Sequence, residues 1–245
     1  MKRARAVLSL PVLSLPVLVW QAVRVRRTMP QLPEALGLDG EVAGSGTTRR
    51  IALLGESTAA GVGVGSNEHG LAGNIATNLA AATGARVEWN VAARTGTTAR
   101  SATGELLPGL VRRCPALDAV VVVLGVNDLV RGRSLRSWAR DVRALLSALR
   151  EQLGPDSAVV VSGLPPFDQF PSLARPLRTV LARRAKSLNS VLVRVCDEAG
   201  AHFVLLDTEL DEPFFCSDRF HPSGRGYAIW AGALTEPLAA PVRAG

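Results

Sequence analysis

Short apolar runs alternate along the chain with longer stretches of helical periodicity. The run at residues 119–124 is continuously apolar and contains four consecutive valines. A continuous run, unlike an alternating one, predicts a strand buried on both faces, as at the centre of a parallel sheet. Within residues 134–153, Trp138, Val142 and Leu145 recur at spacings of three and four. This spacing predicts a helix with one face in the core.

The same pattern, followed from residue 51 to residue 238, predicts alternating strands and helices. The predicted strands are residues 51–54, 86–91, 119–124, 158–162 and 203–206. The predicted helices are residues 70–83, 100–113, 134–153, 173–199 and 223–238. Repeated alternation of this kind predicts a three-layer α/β/α sandwich around a mainly parallel five-stranded sheet. In such folds the functional loops gather at the carboxyl ends of the strands.

The N-terminal residues 1–27 differ in character from the rest of the chain. They combine a basic start, an apolar run over residues 6–23 and three following arginines. This pattern predicts a membrane anchor or an export signal, and hence a membrane-anchored or exported protein of the cell envelope. An amphipathic or core-packing helix is the alternative, because Pro11 and Pro16 interrupt the run.

The polar, proline-containing stretch of residues 28–49 is interpreted as a linker to a single domain at residues 50–245. With 245 residues and 47% hydrophobic content, the chain can bury a sizeable core in one domain. The oligomeric state is not predicted.

The net charge of +7 and a pI near 10.5 raise the question of an anionic partner. The arginines are scattered and only 4% of residues are aromatic, so nucleic-acid binding is not predicted. A basic face towards anionic lipid or wall polymer fits at least as well. Cys114, Cys196 and Cys216 lack metal-ligand spacing and leave one disulfide open. Neither a metal nor a cofactor is expected.

Two motifs far apart in the chain suggest nucleophilic catalysis. Ser57 follows the first predicted strand, and Asp218 stands three residues before His221. A carboxylate at that spacing can bind one imidazole nitrogen and leave the other free to take a proton from a serine hydroxyl. The sequence therefore predicts a serine hydrolase. Taken singly, each of these residues could equally serve an ordinary turn or helix cap.

Four short blocks, in order at the predicted strand ends, strengthen this interpretation. They are Gly55-Glu56-Ser57-Thr58, residues 90–96, Gly125-Val126-Asn127-Asp128 and Asp218-Arg219-Phe220-His221. Together they resemble the SGNH, or GDSL-type, serine hydrolase superfamily of esterases and lipases over residues 51–238. The resemblance implies the SGNH hydrolase fold, a flavodoxin-like α/β/α sandwich.

The resemblance also implies a role for each matching residue. Ser57 would be the nucleophile, His221 the general base and Asp218 the carboxylate that orients the imidazole. The oxyanion hole would comprise the backbone N–H groups of Ser57 and Gly96 and the side-chain amide of Asn127.

Two blocks depart from the family pattern. Glu56 stands where aspartate is usual and is expected to serve the hydrogen bonding of its own turn, and Thr58 replaces leucine. In the second block Ala92 replaces a common glycine, and the register of Gly96 against Arg94 and Thr95 stays open.

The proline-rich loop at residues 163–171 follows the fourth predicted strand on the same rim. Pro166 and Phe167 are predicted to bind the substrate, and covering the core edge is the alternative role for the phenylalanines. The predicted function is hydrolysis of acyl esters of small molecules or lipids, of the carboxylesterase or lipase type. Removal of O-acetyl groups from glycans, thioester hydrolysis and non-catalytic envelope binding remain alternatives.

Overall fold

The computed structural model describes residues 15–154 and 157–239. Within these residues, six strands form one sheet in the order β1-β3-β2-β4-β5-β6. The strands are β1 (Asp39–Val42), β2 (Arg49–Gly55), β3 (Val87–Ala93), β4 (Ala119–Val123), β5 (Ala158–Ser162) and β6 (His202–Val204). β2 to β6 pair in parallel, and β1 pairs antiparallel with β3. The predicted fold class is confirmed, and β2 to β6 correspond to the five predicted strands.

Helices connect and cover the strands. They are α1 (Leu15–Thr28), α2 (Leu71–Thr83), α3 (Ala99–Ser101), α4 (Leu107–Arg113), α5 (Val126–Val130), α6 (Leu135–Gln152), α7 (Leu177–Glu198) and α8 (Gly224–Ala239). A π-helical turn at Ala102–Leu106 joins α3 to α4, and 3₁₀ turns lie at Phe167–Gln169 and Glu212–Phe214. α2 packs against α8, and α6 packs against α7.

The core lies around β4, whose five residues are all buried, as its continuous valine run predicts. On α6, Trp138, Val142 and Leu145 are buried on the predicted face. The Trp138 indole N–H donates to the Leu188 carbonyl of α7 at 3.3 Å, so this buried tryptophan is also satisfied as a donor.

The stretch at residues 28–49, interpreted above as a linker, instead contributes the edge strand β1. Gly40 lies opposite Trp89, and a Cβ atom at Gly40 would stand 2.3 Å from the indole ring. Only one residue of β1, Val42, is a large apolar residue, so the segment lacks the periodic pattern of a strand. β1 is held in place by backbone hydrogen bonds to the edge of β3, which the hydrophobic pattern of the sequence does not reveal.

The segment that precedes β1 crosses the glycine-rich loop that follows β2. Ala35 N–H donates to the Ala60 carbonyl at 2.9 Å, and Leu36 N–H donates to the Gly65 carbonyl at 3.1 Å. The Asn67 side chain donates to the Gly37 carbonyl at 2.9 Å. The N-terminal part of the chain is therefore fastened to the edge of the sheet where functional loops are expected.

α1 is fixed to the domain by one buried polar side chain. The Gln21 amide donates to the Arg175 carbonyl at 2.7 Å and accepts from Leu177 N–H at 3.0 Å, at the start of α7. Leu18 and Val25 lie on the same side of α1 and pack against the core. This docking matches the alternative of a core-packing helix for residues 15–27.

The first 14 residues of the predicted anchor or signal lie outside the described part of the chain. Among residues 15–154 and 157–239, no helix is both long enough and apolar enough to cross a membrane. The outer side of α1 nevertheless leaves several large apolar side chains exposed, namely Leu15, Val17, Val19, Trp20 and Val23.

Candidate active site

Ser57 lies at the carboxyl end of β2, in a tight turn. Ala60 N–H donates to the Glu56 carbonyl at 2.9 Å, and Val62 N–H donates to the Ser57 carbonyl at 3.0 Å. A Cβ atom at Gly55 would stand 2.4 Å from the backbone oxygen of Val123 in β4. Glycine is required there because the two chains approach closely, and this approach sets the position from which the turn departs.

Ser57, His221 and Asp218 form one hydrogen-bonded line. His221 Nε2 lies 2.9 Å from Ser57 Oγ, and His221 Nδ1 lies 2.6 Å from Asp218 Oδ2. Because an ionised carboxylate only accepts hydrogen bonds, Nδ1 carries the proton and donates to Asp218. Nε2 then has a free lone pair and accepts the Ser57 hydroxyl proton.

The Asp218 carboxylate is held by more than the imidazole. Its Oδ1 accepts from the backbone N–H groups of Phe220 and His221, each at 2.8 Å, while Arg219 between them adopts a left-handed backbone with φ +58°. Burial by itself would raise the pKa of Asp218, but the side-chain and backbone hydrogen bonds from His221 outweigh it. They lower the pKa from 3.8 to about 2, so Asp218 is ionised near neutral pH.

Cys216 supplies a further donor to this carboxylate. Its Sγ lies 3.1 Å from Asp218 Oδ1. Burial raises the pKa of the Cys216 thiol to about 11, so the group stays protonated and donates its S–H. Cys114, Cys196 and Cys216 are all free in this structure. Cys216 stands two residues before Asp218 in the sequence, but this spacing alone does not reveal the contact.

Asn127 stands at the carboxyl end of β4, in the first turn of α5. Gly125 precedes it with φ +127°, a conformation that side chains rarely tolerate. Val126 N–H and Asn127 N–H donate to the two oxygens of Glu56, at 2.8 and 2.9 Å. The Asn127 side-chain amide donates to Glu56 as well.

Glu56 was expected to serve the hydrogen bonding of its own turn, and its carboxylate instead bonds across to the loop after β4. The side chain reaches that loop because β2 and β4 are neighbours in the sheet. Burial raises the pKa of Glu56 from 4.5 to about 7, although the hydrogen bonds from Asn127 and Val126 act in the opposite direction.

Gly96 lies in the loop after β3, at the same edge of the sheet. This loop leaves β3 beside the nucleophile turn, where Arg94 N–H donates to the Gly55 carbonyl at 3.2 Å. Gly96 has φ +85°, and its carbonyl accepts from the Arg131 guanidinium at 2.9 Å. The structure thus brings the ends of β2, β3 and β4 together, each with its candidate residue.

A small apolar cavity opens beside Ser57 and His221. It offers about 20 Å³ of space for the centre of a water-sized sphere. Its other walls are formed by Thr58, Val126, Pro165, Phe170, Phe214, Phe220, Pro222 and Trp230.

Phe167, which the sequence predicts to bind the substrate, does not line this cavity. Phe167 is fully buried and stacks on Phe170, with ring centroids 4.7 Å apart. The 3₁₀ turn at Phe167–Gln169 directs Phe167 into the core, whereas Phe170 reaches the cavity. Pro166, at the start of this turn, is also absent from the cavity wall, and Pro165 takes that place.

The chain belongs to the GDSL-like lipase/acylhydrolase family, whose model matches residues 53–229. The matched range contains the turn at Ser57, the Asn127 loop and the Asp218–His221 pair. The superfamily resemblance found in the four sequence blocks is therefore confirmed, and membership implies hydrolase activity on esters.

Individual relatives agree with this membership. The chain is 28% identical over 255 residues to the GDSL-like esterase Rv1075c of Mycobacterium tuberculosis, covering 92% of this chain and 79% of that protein. The lipase Lip_vut3 from a goat rumen metagenome is similar in structure, with a TM-score of 0.64 and 19% identity over 80% of this chain and 99% of that one. A variant of the acetyl xylan esterase Axe2 from Geobacillus stearothermophilus gives a TM-score of 0.59 and 16% identity, over 79% and 95% of the two chains. The two solved structures show the fold alone.

Proposed function

We propose that the protein hydrolyses carboxylic esters through an acyl-enzyme on Ser57. One observation carries the proposal: the continuous line from Ser57 Oγ through both nitrogens of His221 to Asp218, with contacts of 2.9 and 2.6 Å. A serine hydroxyl is a weak nucleophile near neutral pH, and this line supplies the base that it needs.

The chemistry follows from the donors and acceptors in place. As Ser57 Oγ attacks the ester carbonyl carbon, its proton passes to His221 Nε2, and the carbonyl oxygen becomes an oxyanion. Collapse of this intermediate breaks the bond to the alcohol, which takes the proton from His221. Water then attacks the acyl-enzyme with His221 again as base, releasing the carboxylic acid and restoring Ser57.

The oxyanion would be met by the backbone N–H groups of Ser57 and Gly96 and by the Asn127 amide. Removing one such donor typically lowers kcat by about 10²- to 10³-fold. The three residues stand at the ends of neighbouring strands, which supports a common target. This assignment is the one that the family resemblance implies.

The acyl group that fits is short. A water molecule needs about 10 to 15 Å³ of such space, so the 20 Å³ beside Ser57 suits little more than an acetyl methyl group. Phe170, Phe214 and Trp230 are buried and well packed, and they limit expansion. Acetyl esters, including O-acetylated glycans, are therefore favoured over long-chain lipids.

The catalytic proposal is tested with a fluorophosphonate probe. Wild-type protein should be labelled covalently and Ser57→Ala should not, while Ser147→Ala, at an exposed serine of α6, should be labelled like wild type. Failure of folded wild-type protein to label or to hydrolyse any ester would favour the alternative of a non-catalytic binding protein.

The acyl preference is tested with a series of p-nitrophenyl esters from acetate to octanoate, alongside an acetylated xylan. We expect kcat/KM to be highest for acetate or propionate and to fall steeply beyond butyrate. A maximum at hexanoate or octanoate would overturn the short-acyl assignment without affecting the assignment of Ser57.

For the location of the protein, we propose that α1 lies on an anionic lipid surface. Five large apolar side chains on α1 are exposed, and Arg24, Arg26 and Arg27 follow them directly. An apolar face beside basic residues suits the boundary between acyl chains and anionic headgroups. The guanidinium of Arg24 also stacks over Trp20, 5.3 Å from the ring centroid.

Sedimentation with vesicles tests this surface. The full chain should bind phosphatidylglycerol vesicles more strongly than phosphatidylcholine vesicles, and a Val19→Glu, Trp20→Glu variant should bind less. Val193→Glu, at an exposed site on α7, serves as the control. Equal binding by all variants, or a concentration-dependent dimer that the α1 changes abolish, would refute lipid as the partner.

A further inference from the structure

Glu56 makes three hydrogen bonds to one short segment of the chain. Its two carboxylate oxygens accept from Val126 N–H, Asn127 N–H and the side-chain nitrogen of Asn127. Glu56 is almost completely buried, at 2% exposure. A buried carboxylate whose side-chain contacts all go to Asn127 and to the residue before it suggests more than a role in the turn.

An asparagine side chain has two faces of opposite polarity. Its oxygen only accepts hydrogen bonds, and its nitrogen offers two N–H donors. Above its raised pKa of about 7, Glu56 is ionised and only accepts hydrogen bonds, so it can bond the nitrogen of Asn127 and would repel its oxygen. The contact uses one of the two N–H groups and leaves the second free to donate elsewhere.

We propose that Glu56 is a positioning residue, which holds the Asn127 amide with its second N–H directed at the oxyanion of the reaction. This inference rests on the proposed ester hydrolysis and assigns the orientation of one of its donors. A neutral side chain with an N–H group at position 56, such as glutamine, could donate to the Asn127 oxygen. The Asn127 amide could then rotate so that its oxygen and nitrogen exchange places. The reversed amide would present an oxygen to the developing negative charge.

Two backbone contacts extend the same role. Because Glu56 also binds Val126 N–H and Asn127 N–H, it fixes the backbone at the start of α5 as well as the side chain. Gly125 just before this point has φ +127°, so the segment has an unusual backbone that needs such support. Asp128, which follows Asn127, does not depend on Glu56, because its carboxylate accepts from Ala99 N–H at 3.0 Å.

A double-mutant cycle between Glu56→Gln and Asn127→Ala tests the inference with acetate ester as substrate at about pH 8.5, where Glu56 is ionised. Asn127→Ala should lower kcat by about 10²- to 10³-fold. Glu56→Gln should lower kcat by about tenfold or more and change KM by less than about twofold, since the lost interaction belongs to the transition state. In the Asn127→Ala background, Glu56→Gln should cost less than about threefold, because it acts through the missing amide.

Glu56→Asp is the conservative partner in this experiment. It keeps the charge and introduces the residue that is usual in the family, so it should retain most of the activity that Glu56→Gln loses. Equal losses from Glu56→Gln with and without Asn127, or a wild-type kcat in folded Glu56→Gln, would overturn the positioning role.

A spectroscopic measurement covers the case in which Glu56→Gln does not fold. In wild-type protein phosphonylated at Ser57, both side-chain N–H signals of Asn127 should be protected from exchange with water, one by Glu56 and one by the phosphonyl oxygen. Rapid exchange of both would refute the inference. Ester turnover by wild type and its loss in Ser57→Ala judge the proposed function independently of either result.

Discussion

The buried charge of Glu56 should make the stability of the fold fall as the pH rises. Burial raises the pKa of this carboxyl from 4.5 to about 7, since the loss of solvation exceeds the gain from the bonds to Asn127 and Val126. The folded chain therefore holds this proton more tightly than the unfolded chain does. The resulting stabilisation is complete below about pH 4.5 and is lost as the pH rises through about 7.

The magnitude follows from the two pKa values. A rise in the pKa of Glu56 from 4.5 to about 7, at about 1.4 kcal/mol for each pKa unit, corresponds to about 3 kcal/mol of unfolding free energy. Asp128 also has a raised pKa, because of burial, and acts in the same direction. Asp218 has a lowered pKa of about 2 and acts with the opposite sign, only in the acid range below about pH 4.

Replacing Glu56 by glutamine isolates the contribution, since Asp128 and Asp218 are present in both proteins. Urea unfolding of wild type and Glu56→Gln is compared at several pH values from 4.5 to 8.5. Replacing one carboxylate oxygen of Glu56 by an amide nitrogen changes the unfolding free energy by the same amount at every pH. In addition to this constant difference, the unfolding free energy of wild type should fall by about 3 kcal/mol relative to that of Glu56→Gln as the pH rises.

A difference that stays constant to within about 0.5 kcal/mol over this range would refute the reasoning. It would mean that Glu56 is ionised in the folded protein as easily as in the unfolded chain. Unfolding monitored by both fluorescence and circular dichroism checks that the transition is two-state in both proteins.

Three further predictions concern the site and its support. Asp218→Asn should lower kcat by about 10⁴-fold with little change in KM, because the amide favours the wrong imidazole tautomer; a loss below tenfold in steady-state assays would contradict the proposed line. Cys216→Ser should keep kcat within about threefold, since the hydroxyl can replace the S–H donor. In wild-type protein, Cys216 should react slowly with iodoacetamide at pH 8, as followed by mass spectrometry, because burial raises the pKa of its thiol to about 11. Tyr227→Phe should cost about 1 to 2 kcal/mol in urea unfolding, because the Tyr227 hydroxyl donates to the buried Val62 carbonyl at 2.7 Å; an unchanged midpoint would show that this bond does not stabilise the loop.

The parallel part of the sheet could be predicted from sequence because burial on both faces leaves a direct trace. The valine run of β4 is such a trace. β1 leaves none, since an edge strand gains its order from backbone pairing and needs few apolar side chains. α1 was assigned to an anchor or signal because its apolar content is high. Its docking through Gln21 depends on two backbone groups more than 150 positions away.

In the candidate site, too, some features could be predicted from sequence motifs and others depend on contacts between distant parts of the chain. Ser57, Asp218 and His221 belong to short motifs, and the structure brings them within hydrogen-bonding distance. The contact of Glu56 with Asn127 depends on β2 and β4 being neighbours in space, which spacing along the chain does not encode.

The choice between two phenylalanines in one loop was equally hidden from sequence. Phe167 and Phe170 are both apolar, both stand next to a proline and both lie in the same loop. Only the geometry of the 3₁₀ turn determines that Phe170 reaches the cavity and Phe167 enters the core.

β1 also limits where the chain can be cut. A protease acting between β1 and β2 would free the outer hydrogen-bonding row of β3, which Asp39–Val42 now occupies. Bare strands of this kind recruit neighbouring molecules, so the trimmed product would tend to aggregate. Shedding of the N-terminal region without that penalty is confined to bonds upstream of Leu38, whose carbonyl accepts from Val91 N–H of β3 at 2.7 Å.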